Sequence, residues 1–427
     1  MQEHFEKVIG RLRTLEGLVE RLQTVESLAG FKQEPALLHL PFWGAPPYET
    51  DFTIETDGHL GQTATVSGGV IGRPGKFGKA VQVAEATTNL IVNPIFENNV
   101  TDGWTFSQGG TGGSVSHDTN IYYIGNASCR YKAGTNTCYF RPSTNVALAD
   151  GESITIGGYF RRDANFVGSF NIYDDTNNAA RATTGGIPAL IEPDNWEFLT
   201  LSWTNNTGSS VNVRPYFYNS SKDGVSNLWM DAIQFEKKAY PTPLAVGNMG
   251  TGHAWTGTAH NSTSSRTAAG LEYAGAGNYN PAQGTILGWV KRSEITSTRF
   301  AYLFRYDDGV DWNGVYSIST GTGQFRVRHN GVSTNMNAFW STDDFIHVGW
   351  VWDGNTASLY FDGIFVDSVT GTTPLNPGGQ LYVGWSGTSA TQINGYIDDF
   401  AIFDKALTAQ EVKTIYDSQL PLIVPRV

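Results

Sequence analysis

Between Gly395 and Tyr416 the chain passes from a strand pattern almost directly into a short capped helix, which ties one strand of a sheet to one amphipathic helix. Tyr396, Ile397, Phe400, Ile402 and Phe403 read as a half-buried strand. Thr408 stands three residues before Glu411, the spacing of a capping box, and Leu407, Val412, Ile415 and Tyr416 give the helix one apolar stripe.

The 427 residues allow two or three domains. With 49 glycines, 13% aromatic and only 16% charged residues, the chain reads as β-rich, its aromatics available for strands, cores and sugar faces. A net charge of −12 argues against nucleic acid, whose phosphates demand clustered Lys and Arg, and disfavours an anionic lipid surface. No run approaches the roughly 18 apolar residues of a membrane span. Residues 1–13 carry mixed charges where a secretory leader needs an apolar stretch, so no export signal of that kind is expected. Cys129 and Cys138 flank Ala133-Gly-Thr-Asn136, read as a hairpin turn; they are either a disulfide formed outside the cell or two reduced core cysteines.

Residues 3–29 carry a heptad, with Phe5, Leu12 and Val19 at a and Val8, Leu15 and Leu22 at d. A helix of this length cannot bury such a stripe alone, so residues 1–30 are expected to oligomerise as a coiled coil supported by the domains they carry. A single helix packed on its own domain is the other reading. Val25 and Leu28 break the repeat, and the a and d residues do not select an oligomer order.

Leu37-Leu-His-Leu-Pro-Phe42, Gly75–Val83, Leu271-Glu-Tyr273, Gly284–Val290, His347–Trp352 and Ala357–Gly363, with the closing stretch, resemble successive strands of the concanavalin A-like (laminin G-like) jelly roll. Between them, Ala86–Glu97, Gly103-Trp104, Asn195–Thr204, Val211–Tyr218, Leu228–Glu236 and Tyr240-Pro-Thr-Pro243 resemble carbohydrate-binding modules of the family 4/9 type. The two resemblances imply an all-β fold in which an N-terminal coiled-coil helix is followed by two nested antiparallel jelly-roll β-sandwiches. The helix or anchor would span 1–30, the split outer jelly roll 36–85 plus 248–420, and the inserted module 86–247. Residues 421–427 form an apolar tail that Pro421 and Pro425 keep out of helix, docking on a neighbouring subunit or covering an edge of its own domain. Such folds more often bind glycans or proteins than cut them, so no enzyme is expected.

Glu192-Pro-Asp194-Asn-Trp-Glu197 has the Glu-x-Asp-x-x-Glu spacing of retaining glucanases built on the concanavalin A-like fold. Pro193 would interrupt a central strand and the string falls in the inserted module, so no catalytic residue is assigned. Asp307, Asp308 and Asp311 form an acidic loop where a structural calcium is expected; no other cofactor is required. Flat rings stack on the apolar faces of pyranoses while polar side chains read the hydroxyls. Tyr159, Arg161, Tyr216 and Tyr218 lie on strands of the kind that, by the family resemblance, line a concave face, although alternating aromatics are as readily core. Trp312 and Trp385, on loops read as exposed, are candidates for glycan or subunit contact, whereas the resemblance to the carbohydrate-binding modules implies that Trp104, Trp196 and Trp229 pack inside.

A short oligomerising helix, two nested glycan-binding-type jelly rolls and the absence of an export signal together resemble bacteriophage virion appendage proteins. That resemblance implies a homo-oligomer, with a trimer favoured, on the virion surface. It would be held to other virion proteins through residues 1–30 and would bind host cell-surface glycan, without nucleic acid or membrane insertion. Several weak sites would then act together through avidity. A capsid or tail decoration protein without sugar binding, and a cellular glycan-binding protein or accessory module of a glycoside hydrolase, are the alternatives.

Overall fold

The computed structural model describes residues 38–40, 62–76, 79–187, 191–293, 299–318, 322–340, 344–388 and 390–419. The heptad positions Phe5 to Leu22 and the tail 421–427 lie outside them. Alternation of apolar and polar residues places most of these segments in antiparallel strands, and five sheets result. Among the described residues, no helix is long and apolar enough to cross a membrane.

The outer sandwich pairs an eight-stranded sheet with a seven-stranded one. The larger runs in the order Ile364–Thr370, Thr356–Phe361, Ile346–Asp353, Gln283–Arg292, Gly395–Phe403, Lys79–Val83 and Ile71–Pro74, with Leu38–Leu40 also paired to Gly395–Phe403. The smaller runs Thr65–Ser67, Gly270–Ala274, Gln380–Val383, Ala301–Asp307, Trp312–Ser317, Gln324–His329 and Val332–Phe339. Strands before and after the long middle segment therefore share both sheets. Their inward residues form one core, with Tyr279 stacked on Tyr306 at 3.9 Å and on Trp352 at 4.9 Å. Hairpins close where the chain supplies residues that accept a left-handed backbone: Asn330-Gly331 at φ 46 and 85, and Asp362-Gly363 at φ 48 and 75.

The closing stretch forms as its sequence requires. Gly395–Phe403 is a central strand of the larger sheet, and helix Ala409–Gln419 follows. The Glu411 amide donates to Thr408 Oγ1 at 3.2 Å and the Thr408 amide to Glu411 Oε2 at 2.6 Å, the reciprocal bonds of a capping box. Val412 is fully buried, and the Tyr416 ring stacks on Trp289 at 5.6 Å, so the apolar stripe covers the outer face of the sheet.

The middle segment builds its own sandwich. A six-stranded sheet runs Ala179–Thr183, Gly168–Asp174, Val211–Asn219, Tyr139–Pro142 and Trp104–Ser107, with Val146–Leu148 beside Val211–Asn219. A five-stranded sheet runs Glu197–Thr204, Ser153–Arg162, Asn227–Glu236, Ser128–Lys132 and Ser114–Asp118. Phe140, Phe160, Phe170 and Phe217 fill the space between them, with Trp104 stacked on Phe140 at 4.8 Å.

Cys129 lies in the five-stranded sheet opposite Met230 and His117, but the strand after Cys138 belongs to the six-stranded sheet. The connection at Ala133–Asn136 thus crosses from one sheet to the other and closes no hairpin. Both cysteines are buried and free, and burial pushes the Cys129 thiol well up from its ordinary pKa.

Where the chain leaves and re-enters the outer sandwich, Thr87–Asn89, Ser264–Arg266 and His253–Trp255 make a small sheet. Beside it Glu85, 2% exposed, accepts from Lys238 Nζ at 2.7 Å and from Tyr240 Oη at 3.1 Å, and forms an ion pair with Arg299, Nε to Oε1 at 2.9 Å. Arg266 donates to the Glu85 carbonyl from Nε at 3.0 Å and from Nη2 at 2.9 Å. Burial opposes the Glu85 charge, yet Arg299 and Lys238 hold its pKa below the usual carboxylate value.

Candidate functional site

The outward face of the six-stranded sheet carries a groove of about 900 Å³. Its origin is the period of two along each strand. In Val211–Asn219, Val213 and Phe217 point into the core, which turns Arg214, Tyr216 and Tyr218 outward. The neighbouring strands repeat the pattern in register. Tyr218 lies opposite Ser169 on one side and Tyr139 on the other, Tyr216 opposite Asn171, and Arg214 opposite Tyr173. Four tyrosines and a row of polar groups therefore share one surface.

Tyr139, 41% exposed, stands edge-on to Tyr216 at 6.1 Å and tilted to Tyr218 at 6.4 Å. Tyr173 lies 4.5 Å from Tyr216 and donates its hydroxyl to Asn178 Oδ1 at 2.7 Å. Tyr216 is 8% exposed and forms the floor: Arg141 covers its ring at 4.8 Å and Arg214 at 5.5 Å. Its hydroxyl donates to Asp175 Oδ1 at 3.0 Å and receives a bond from Arg141 Nη1. Burial, then the bond to Asp175, raise the Tyr216 pKa. Asp175 is itself paired with Arg214, Nε to Oδ2 at 2.9 Å. Ser107, Thr137, Ser220 and Lys222 complete the lining. Rings at several tilts beside hydroxyl, amide and guanidinium groups can stack on a sugar and bond its hydroxyls.

The other residues singled out from sequence fall elsewhere. Tyr159 and Arg161 are on the five-stranded sheet, so they do not join Tyr216 and Tyr218: a strand pattern specifies a face but not a sheet. Tyr159 stacks on Tyr123 at 3.5 Å in a smaller cavity of about 310 Å³ toward the outer sandwich, bordered also by Arg73, Lys291 and Tyr396. Arg161 pairs with the exposed Asp194 at 3.2 Å. Trp104 and Trp229 are buried as expected, but Trp196 is half-buried in the lining of that cavity, because it precedes the strand Glu197–Thr204 and stays outside the core.

Trp385 is not an open loop residue. Its Nε1 donates to the Leu271 carbonyl at 3.0 Å, and its ring packs so closely on Gly270 that a Cβ there would stand 2.2 Å from it. Trp312 is half-buried, covered by Arg305 at 4.9 Å and Arg328 at 5.1 Å. The acidic loop beside it is already occupied. Asp307 pairs with Arg305, Asp311 with Arg328, and Asp308 accepts the amides of Val310 and Asp311 at 2.9 and 2.8 Å. Among the described residues no group of three or more His, Cys, Asp or Glu is placed to hold a metal ion. Glu192 and Asp194 lie in the turn before the strand that Glu197 opens, so the three carboxylates do not line one strand.

Tyr139, Tyr173, Arg141 and Asn171 were not picked out from sequence. The signal was present as the alternation Tyr139-Phe140-Arg141 and Asn171-Ile172-Tyr173, whose middle residues are core.

Residues 246–413 match the family model described as the concanavalin A-like lectin/glucanases superfamily. No curated protein matches the chain. Among solved structures, the native heptameric SAP-like pentraxin from Limulus polyphemus is similar over 32% of this chain and 70% of its own, with 19% identity and a TM-score of 0.27. Domain 4 of AbnA, a GH43 extracellular arabinanase from Geobacillus stearothermophilus solved with arabinotriose, is similar over 40% of this chain and 84% of its own, with 15% identity and a TM-score of 0.30. The N-terminal CBM22-1-CBM22-2 tandem of Xyn10C from Paenibacillus barcinonensis covers 74% of this chain and 98% of its own, with 17% identity and a TM-score of 0.27.

Proposed function

We propose that this chain is a glycan-binding protein whose site is the groove on the insert, and that it serves as a bacteriophage virion appendage. The observation that carries the glycan reading is the groove's make-up: Tyr139, Tyr173, Tyr216 and Tyr218 share one sheet face with Asn171, Arg141 and Asp175. An open, ring-lined trough of this kind suits a chain of sugars, which offers apolar faces and outward hydroxyls. The concanavalin A-like match of residues 246–413 supports the same class of function. In this reading the protein binds and does not cleave.

The appendage role rests on the heptad Phe5 to Leu22 set before two nested sandwiches. Residues 1–30 oligomerise, as a trimer, and anchor the chain to other virion proteins, while the insert meets host-surface glycan. Presenting several grooves together lets weak individual sites hold a cell.

A glycan array probed with the full chain tests the binding reading. Saturable retention of a glycan class is expected, and Tyr139→Ala or Tyr218→Ala should weaken it about three- to tenfold with the melting temperature unchanged, the value of one aromatic contact. Full-strength binding by both variants would place the site elsewhere. For the appendage role, deleting residues 1–30 should abolish incorporation into particles; a truncated chain that still incorporates contradicts the anchor.

A further inference from the structure

We infer that the groove selects acidic saccharides, with a sugar carboxylate held against Arg141, an inference that rests on the glycan reading of the same groove. Its charged groups decide this. Asp175 is neutralised by Arg214, which reaches Oδ2 at 2.9 Å and Oδ1 at 3.0 Å. Arg141 has no carboxylate within ion-pair distance among the described residues, and its contacts are the ring and hydroxyl of Tyr216. Lys222, exposed at the rim, has no acidic partner there either. Once the Asp175–Arg214 pair cancels, two positive charges stand over the groove of a chain whose net charge is −12.

Two polar atoms point to what fills it. Four polar atoms here are buried without a hydrogen-bond partner: Asp175 Oδ2 and Arg214 Nε, which face each other as an ion pair at 2.9 Å, and Arg141 Nε and Oδ1 of Asn171, a residue 8% exposed opposite Tyr216, which have no such counterpart. An unpartnered guanidinium nitrogen is costly, and a carboxylate supplies the planar pair of acceptors that matches it. Asn171 Oδ1 accepts only, so it meets a sugar hydroxyl on the same ring. Tyr139 and Tyr218 then take the apolar face. A neutral pyranose could use the rings and Asn171 but would leave Arg141 and Lys222 without counter-charge. A purely structural Arg141, present only to brace Tyr216, predicts no preference for charge.

The test is a titration of the full chain with oligogalacturonate, oligoalginate and oligosialic acid, each beside its methyl ester, which keeps the sugar and removes the charge. At least one acid should bind about tenfold or more tightly than its ester in about 50 mM salt, and the preference should shrink as salt rises tenfold. Arg141→Gln should abolish the preference, and Arg141→Lys should keep part of it, both with unchanged melting temperature. Esters bound as tightly as acids, or retention of neutral glycans alone, would overturn the inference while leaving the glycan reading intact. A preference that survives in Arg141→Gln removes Arg141 from it. Retention of no glycan at all, acidic or neutral, refutes the glycan reading itself and this inference with it.

Discussion

Glu85→Gln removes one charge from the place where the chain leaves the outer sandwich for the insert. The Glu85 side chain is 3% exposed, against 10% for Arg299 and 21% for Lys238. Breaking a buried ion pair by deleting one partner costs about 3–5 kcal/mol, because the other charge stays buried without compensation. Lys238 retains some access to water, which lowers the cost to about 2–4 kcal/mol, or about 5–10 °C in melting temperature for sandwiches of this size. Urea unfolding at neutral pH, followed by tryptophan fluorescence, reads the difference. The pH dependence supplies a second check. Because the folded-state pKa of Glu85 lies below its ordinary 4.5, its contribution is complete above that value and is lost as pH falls through the folded pKa. The gap between the proteins should therefore be full at pH 7 and narrow in acid. A variant within about 0.5 kcal/mol of the wild type at pH 7, or a gap that widens in acid, would refute the argument.

Burial pushes His253 and His347 down to about 4. The unfolded chain takes up protons below its ordinary histidine pKa and the folded chain does not, so stability should fall as pH drops from about 6.5 toward 4, by up to about 1.4 kcal/mol per pH unit for each histidine. Flat stability between pH 7 and 5 would contradict this. Thr408→Ala breaks the capping box of the closing helix and should cost about 1 kcal/mol in equilibrium unfolding; no change would mean the cap is idle. Arg305 and Arg328 already neutralise Asp307 and Asp311, so a chelator should leave the melting temperature unchanged. A calcium-dependent rise would show that the ion displaces the arginines.

The closing strand and helix were legible because a capping box and an apolar stripe are local signals, set within a few residues of each other. Strands such as Val211–Asn219 and Gln283–Arg292 were legible for the same reason, as was the shared face of Tyr216 and Tyr218. What periodicity does not carry is the identity of the sheet. Tyr159 and Tyr218 look alike in sequence, yet they belong to opposite sheets of the insert. The groove is assembled from strands that meet only through register, which is how Tyr139 and Tyr173 join Tyr216. Trp385 reads as exposed until Gly270, more than a hundred residues earlier, is found beneath its ring. Glu85 likewise gains its partners Lys238 and Arg299 from far along the chain.

The most direct measurement is a crystal structure of the full chain with the tightest oligosaccharide found by array. The account predicts sugar density in the groove, with a ring against Tyr139 or Tyr218 and a polar substituent within hydrogen-bond distance of Asn171 or Arg141. Sugar bound on another surface, such as the cavity at Tyr159 or the face around Trp312, with the groove empty, would contradict it.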